Sequence, residues 1–132
     1  MTAAVYPKFL DALWSSYDPS AATPTIVALS SAYVYDAAHQ YRSDLTGELG
    51  TPTALAAVAE ASGQITATSP VITGTSPGDI VQSLAVFDDT GVSATSRLWC
   101  FIDHKADGTS IFFTSDGTNF TVSLPSSKLF SY

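Results

Sequence analysis

The run Gly74-Thr75-Ser76-Pro77-Gly78 spells G-x-S-x-G, the spacing that can hold a serine on a sharp turn as an acyl-transfer nucleophile. That chemistry needs the backbone N–H of the residue after the serine as an oxyanion donor. Here that residue is Pro77, which has none. A triad would also need a histidine and a carboxylate beside the serine. His39 and His104 are the two histidines, one between Asp36 and Asp44, the other between Asp103 and Lys105. Both read as surface or locally hydrogen-bonded side chains. No catalytic residue is expected, and the chain does not read as an enzyme.

Metal chemistry is no better served. Zinc sites draw on clustered Cys and His, and Cys100 with two distant histidines makes no cluster. Asp88, Asp89, Asp103, Asp107 and Asp116 fall in or near turns, but none opens a D-x-D-x-D-G loop with a distal glutamate. They read as turn formers. No metal and no cofactor is expected. Cys100 lies in an apolar run and reads as a small core residue; as the single cysteine it forms no intrachain disulfide. Asn119-Phe120-Thr121 matches a glycosylation sequon. Residues 1–6 lack a basic n-region, however, and Lys8 and Asp11 interrupt any apolar h-region, so the chain is expected to be made in the cytoplasm without a standard export signal.

The composition bounds the partners. The chain has 132 residues, enough for one domain with one core. Net charge is −7, and Lys8, Arg42, Arg97, Lys105 and Lys128 are scattered singly. A nucleic-acid surface needs a basic stripe, so direct DNA or RNA binding is not expected. No apolar run approaches the roughly 20 residues that span a bilayer, and no membrane partner is expected. Charged residues make up only 13% against 45% apolar. Such a chain exposes a Ser-, Thr- and Ala-rich surface that loses little on desolvation against another subunit.

The elements that would carry such a surface are mostly short strands. Phe9, Leu10, Leu13 and Trp14 recur at helical spacing behind Pro7 and predict a helix over 7–16. A loop over 17–24 leads to a strand over 25–30. Residues 36–45 predict a short helix with Asp36 as its N-cap, ended by Gly47 and Gly50. Residues 54–60 are alanine-rich and ambiguous, and are read as strand because their flanks are turn-rich. Short strands are expected at 64–68, 71–73, 80–87, 97–103, 110–114 and 119–124, with a last edge strand at 128–132. Asp88-Asp89-Thr90-Gly91 and Asp116-Gly117-Thr118-Asn119 read as hairpin turns. About eight short strands with one or two short helices in the N-terminal third give a mainly β fold, a β-sandwich or small β-barrel.

Two segments carry a resemblance. Residues 35–44, Tyr-Asp-Ala-Ala-His-Gln-Tyr-Arg-Ser-Asp, resemble a Y-x-A-A-H-x-aromatic-x-x-D element. Residues 89–98, Asp-Thr-Gly-Val-Ser-Ala-Thr-Ser-Arg-Leu, resemble a D-T-G-V-x-x-T-S-R-L element. Both are similar, in order and spacing, to elements of small virion structural proteins of tailed bacteriophages. Residues 7–13 and the closing strands resemble theirs as well. Trp99-Cys100 and the loop at 21–24 depart from that pattern. The resemblance implies a capsid decoration (cement) or head-surface protein on the virion, with the major capsid protein as partner. Symmetry favours trimers at local three-fold axes, with dimers as the other option. Contact residues are expected in the two terminal segments: Tyr6, Phe9, Leu13, Trp14, Leu129, Phe130 and Tyr132. Ordinary core packing is the competing reading of the same residues. Two other functions remain open, a tail or neck structural protein and a carbohydrate- or receptor-binding β module. The last would need an exposed aromatic groove built on Trp99 or Tyr35.

Overall fold

The centre of the molecule is a ladder of two strands whose side chains are buried on both faces. In a computed structural model describing residues 3–15, 17, 18, 21–61, 64–103, 110–121 and 128–131, β2 (Pro24–Leu29) runs antiparallel to β8 (Ser83–Asp88), with Ile26 opposite Val86 and Ala28 opposite Leu84. The alternation of a half-buried strand is absent from both sequences because neither face meets water. Ile26, Val27, Ala28 and Leu29 are all fully buried, as are Leu84, Ala85, Val86 and Phe87. Each large apolar side chain so buried contributes about 1.5–3 kcal/mol, so this ladder anchors the fold.

The ladder grows outward to a five-stranded antiparallel sheet in the order β1-β9-β8-β2-β3, with β1 at Ala3–Val5, β9 at Leu98–Ile102 and β3 at Glu48–Ala54. On β9 the side chains alternate between two covered faces. Trp99 meets Phe9 of helix α1 (Pro7–Trp14), and Phe101 meets Tyr33 and Tyr35. Cys100 and Ile102 take the other face; the ladder with β8 shifts register between Leu98 and Cys100, and Leu98, Cys100 and Ile102 are all fully buried. Ile65, Ala67, Ile72, Val81 and Ile111 belong to the same buried cluster.

The periphery is made of smaller pieces. β4 (Ala59–Ala61), β5 (Gln64–Thr66) and β12 (Lys128–Ser131) form a three-stranded sheet in the order β12-β5-β4. β6 (Val71–Ile72) pairs with β11 (Phe120–Thr121), and β7 (Ile80–Val81) with β10 (Phe113–Thr114). The architecture is therefore mainly β, in several antiparallel sheets, and among the described residues no sheet closes into a barrel. The strands outnumber the expected eight because single apolar runs are cut. The run 80–87 breaks at Gln82, whose amide turns to the Leu29 carbonyl. The segment 54–60 is strand only at its ends: Ala57 takes φ +54°, a left-handed conformation that stops β3 from continuing into β4.

Two expectations are corrected. Residues 36–45 are not an α-helix, because the amides a helix would use internally have other acceptors. The Asp36 carboxylate accepts from the Ala38 amide as a helix N-cap would, but the Gln40 and Tyr41 amides donate to the Asp44 carboxylate. The Arg42 amide donates to Ser96 and that of Ser43 to Ser93. A single 3-10 turn, Arg42–Asp44, remains. The Asp116 turn is present, its carboxylate accepting from the Thr118 amide, but it closes no hairpin. Its flanking strands β10 and β11 pair with β7 and β6 instead of with each other. His104, Lys105, Asp107, the second half of the strand expected at 119–124 and Tyr132 lie outside the described residues.

Glycine is required where β3 crosses β6. An antiparallel bridge joins Thr51 to Thr73, the Thr51 amide donating to the Thr73 carbonyl at 2.9 Å. Gly50 and Gly74 flank it at φ +71° and +76°. A Cβ on Gly50 would lie 2.5 Å from the Thr73 oxygen, and one on Gly74 2.5 Å from Thr51 Oγ1.

Candidate interaction surface

Helix α1 forms because Pro7 presets the first turn and Phe9 has a pocket to fill. Phe9 is fully buried against Trp99 and edge-on to Tyr17, and Leu13, one turn on, packs half-buried on the same core. The opposite face carries Leu10 and, four residues on, Trp14, which is 94% exposed. The expected N-terminal contact residues therefore divide. Tyr6 and Phe9 belong to the chain's own core, which is the core-packing reading for those two. Leu13 is half-buried on that core, and Trp14 is exposed.

The C-terminal half of the expected surface falls on β12, an edge strand paired with β5 through Lys128 opposite Thr66 and Phe130 opposite Ile65. β12 also packs beside β1, so the two terminal segments that sequence placed far apart are neighbours. Leu129 and Phe130 lie on this strand.

Tyr6 heads a hydrogen-bonded chain that sequence reasoning did not find. Its hydroxyl lies 2.6 Å from that of Tyr33, which lies 3.0 Å from His39 Nδ1. Burial, reinforced by Tyr33, drives the Tyr6 phenol far above its ordinary value, and burial raises that of Tyr33 as well. His39 is thus a hydrogen-bonded scaffold residue. The signal in the sequence was the aromatic density around it, Tyr33, Tyr35 and Tyr41.

The other candidates resolve in the same sense. Ser76 lies in a turn between β6 and β7, its amide held by the Asp79 carboxylate. The Asp88 oxygens accept from the Tyr17 hydroxyl at 2.7 Å and the Thr23 amide at 3.0 Å. Asp89 accepts from the Gly91 amide. Among the described residues no group of three or more His, Cys, Asp or Glu could hold a metal ion, and no helix is long and apolar enough to cross a membrane. Cys100 is fully buried, and burial pushes its thiol well above the ordinary value. Trp99 is 1% exposed, its indole N–H donating to the Tyr17 hydroxyl, so it lines no groove for a sugar; Tyr35 is half-buried on Phe101.

The two resembling segments meet in space. Tyr41 bridges Arg97 as an antiparallel pair, the Leu98 amide donates to Gln40, and the Arg42 and Ser43 amides donate to Ser96 and Ser93. The 89–98 loop is itself tied internally. The Thr90 hydroxyl meets that of Thr95, and the Ser96 hydroxyl donates to the Val92 carbonyl while accepting from the Thr90 amide. Arg42 stacks on Phe87 and pairs with Glu48 through two bonds of 3.1 and 2.8 Å. These residues act as a scaffold that fixes one end of the central sheet. Against known proteins, no family model, no curated protein and no solved structure matches this chain.

Proposed function

We propose that this chain is a structural protein of a tailed-phage particle, a capsid decoration (cement) or head-surface protein that binds the major capsid protein and stabilises the shell. The observation that carries this reading is the docking of residues 35–44 on residues 89–98. Strings that fold as one hydrogen-bonded unit have the character of a shared scaffold. The Trp14 side chain supports the reading from another direction. A large aromatic at 94% exposure on a helix otherwise anchored in the core is the kind of residue that becomes a binding hot spot. In this reading the protein self-associates on the capsid surface, as trimers at local three-fold axes or as dimers.

The test is co-sedimentation of the purified protein with undecorated phage heads, followed by imaging. Saturable binding at regular lattice positions is expected. Trp14→Ala should bind at least about ten-fold more weakly, the cost of losing one hot-spot residue, with an unchanged melting temperature. Density on the tail or neck would replace the proposal with a tail or neck structural role. Absence from the particle would overturn it and leave a carbohydrate- or receptor-binding module.

A further inference from the structure

Two arginines stack on aromatic rings, and among the described residues only one of them has an anion. The Arg42 guanidinium lies 4.9 Å from the Phe87 ring centroid, and its fork is filled by both oxygens of Glu48. The Arg97 guanidinium lies between two rings, 5.6 Å from that of Tyr17 and 5.2 Å from that of Tyr41. Among the described residues it has no ion pair and no side-chain hydrogen bond; the carboxylate beside Tyr17, that of Asp88, accepts from the Tyr17 hydroxyl and the Thr23 amide. Among the described residues no side-chain nitrogen that lacks a partner is buried, and Arg97 is half-buried.

The Tyr17 ring and the Tyr41 backbone are held before any ligand arrives. The Tyr17 hydroxyl is held between Trp99 Nε1 and Asp88 Oδ2, and its amide donates to the Ala12 carbonyl. Tyr41 is held by its backbone bridge to Arg97 itself and by its amide bond to Asp44. The cation therefore loses little freedom on binding, which is what makes a preorganised group an anchor. A guanidinium fork matches the planar, two-oxygen geometry of a carboxylate, and Arg42 with Glu48 displays that match a few residues away. A polyanion such as nucleic acid would need several free cations together. The chain carries net charge −7, and Arg42, its other arginine, is occupied by Glu48.

We infer that Arg97, clamped by Tyr17 and Tyr41, is a docking site for a carboxylate side chain, an Asp or Glu, of a protein partner. On the function proposed above that partner is a capsid subunit; the site itself does not depend on that reading. The test has two arms. In the first, the Nε–H resonance of Arg97 in the full chain is followed by NMR during titration with N-acetyl-Glu-Glu-amide, and separately with sodium phosphate and sodium chloride at matched ionic strength. A saturable shift with the dipeptide is expected at the Arg97 Nε–H and at the neighbouring Leu98 amide, with the Arg42 Nε–H unmoved and the Leu98 response lost in Arg97→Lys, which keeps the charge and removes the fork. In the second, Arg97→Gln and Arg97→Lys are compared with the wild type for co-sedimentation with undecorated heads, and at least ten-fold weaker binding is expected of both. An unmoved Arg97 resonance, or a response to phosphate equal to that to the dipeptide, would overturn the inference; undiminished head binding by both variants would overturn the capsid subunit as the partner at this site. A dipeptide response from a protein that does not bind heads would uphold the carboxylate site and remove the capsid subunit as its partner.

Discussion

The Tyr6–Tyr33–His39 chain predicts a double-mutant cycle in which the second substitution repairs the first. Tyr33→Phe removes the hydroxyl in the middle of the chain. The Tyr6 hydroxyl, on a side chain with no solvent exposure, is then left with no partner, at a cost of about 1–3 kcal/mol. The bond to His39 Nδ1 is lost as well, adding about 0.5–1.5 kcal/mol. Tyr6→Phe is milder, because the Tyr33 hydroxyl keeps His39, and should cost only about 0.5–1.5 kcal/mol. In the double variant no orphaned hydroxyl remains, so Tyr6→Phe added to Tyr33→Phe should restore about 1 kcal/mol or more. Urea unfolding followed by the fluorescence of buried Trp99 measures this, provided the denaturant slopes of the four proteins agree. If the two substitutions add to within about 0.5 kcal/mol, the two hydroxyls are not energetically coupled and the reasoning fails.

Gly50→Ala should destabilise the protein by about 2 kcal/mol or more, since it adds a left-handed alanine to a collision of its Cβ with the Thr73 backbone oxygen; a thermal melt within 1 °C of wild type would contradict this. Alkaline pH should unfold the protein. Burial, the first cause in each case, raises the phenols of Tyr6, Tyr17 and Tyr33 above the ordinary 10.0. The fold therefore holds their neutral forms, and that stability is fully present below pH 10 and lost as pH rises beyond it. Absorbance at tyrosinate wavelengths should then rise together with loss of near-ultraviolet circular dichroism, not ahead of it.

What could be read from the sequence was whatever the apolar content decided alone. β2, β8 and β9 are dense in large apolar side chains, and α1 has the helical spacing that buries Phe9. Residues 36–45 were misread because local signals pointed one way and tertiary partners the other. Asp36 is a good N-cap residue, but Ser93 and Ser96 take the amides a helix would have kept. The Asp116 turn has hairpin chemistry, and nothing local says that its two flanks pair with strands some 30 to 50 residues earlier in the chain. The surface was half legible. Helical spacing groups Phe9, Leu10, Leu13 and Trp14 together; the pocket beside Trp99 decides that Phe9 goes in and Trp14 stays out. That Arg97 lacks an anion while Arg42 has one depends on where Glu48 falls in the fold, which spacing does not reveal.

The same geometry bears on how a partner would dock. Extension of a sheet edge is one mode. The edges β1 and β4 span three residues each and β12 four, while the seven-residue edge β3 is already bridged at Thr51 to Thr73. A three-residue edge supplies about three backbone hydrogen bonds, each contributing about 0.5–1.5 kcal/mol net, and Glu60 on β4 works against edge-to-edge pairing. Burying the exposed Trp14 ring removes about 150–250 Å² of surface from water, about 4–6 kcal/mol at the usual coefficient. Seating a carboxylate on Arg97 adds a charge-assisted pair on a cation already held in place. By these magnitudes the side-chain anchors outweigh the edges. Substitutions at Trp14 and Arg97 should therefore weaken association more than proline placed in β4, and an inverted ranking would point to strand addition as the mode of docking.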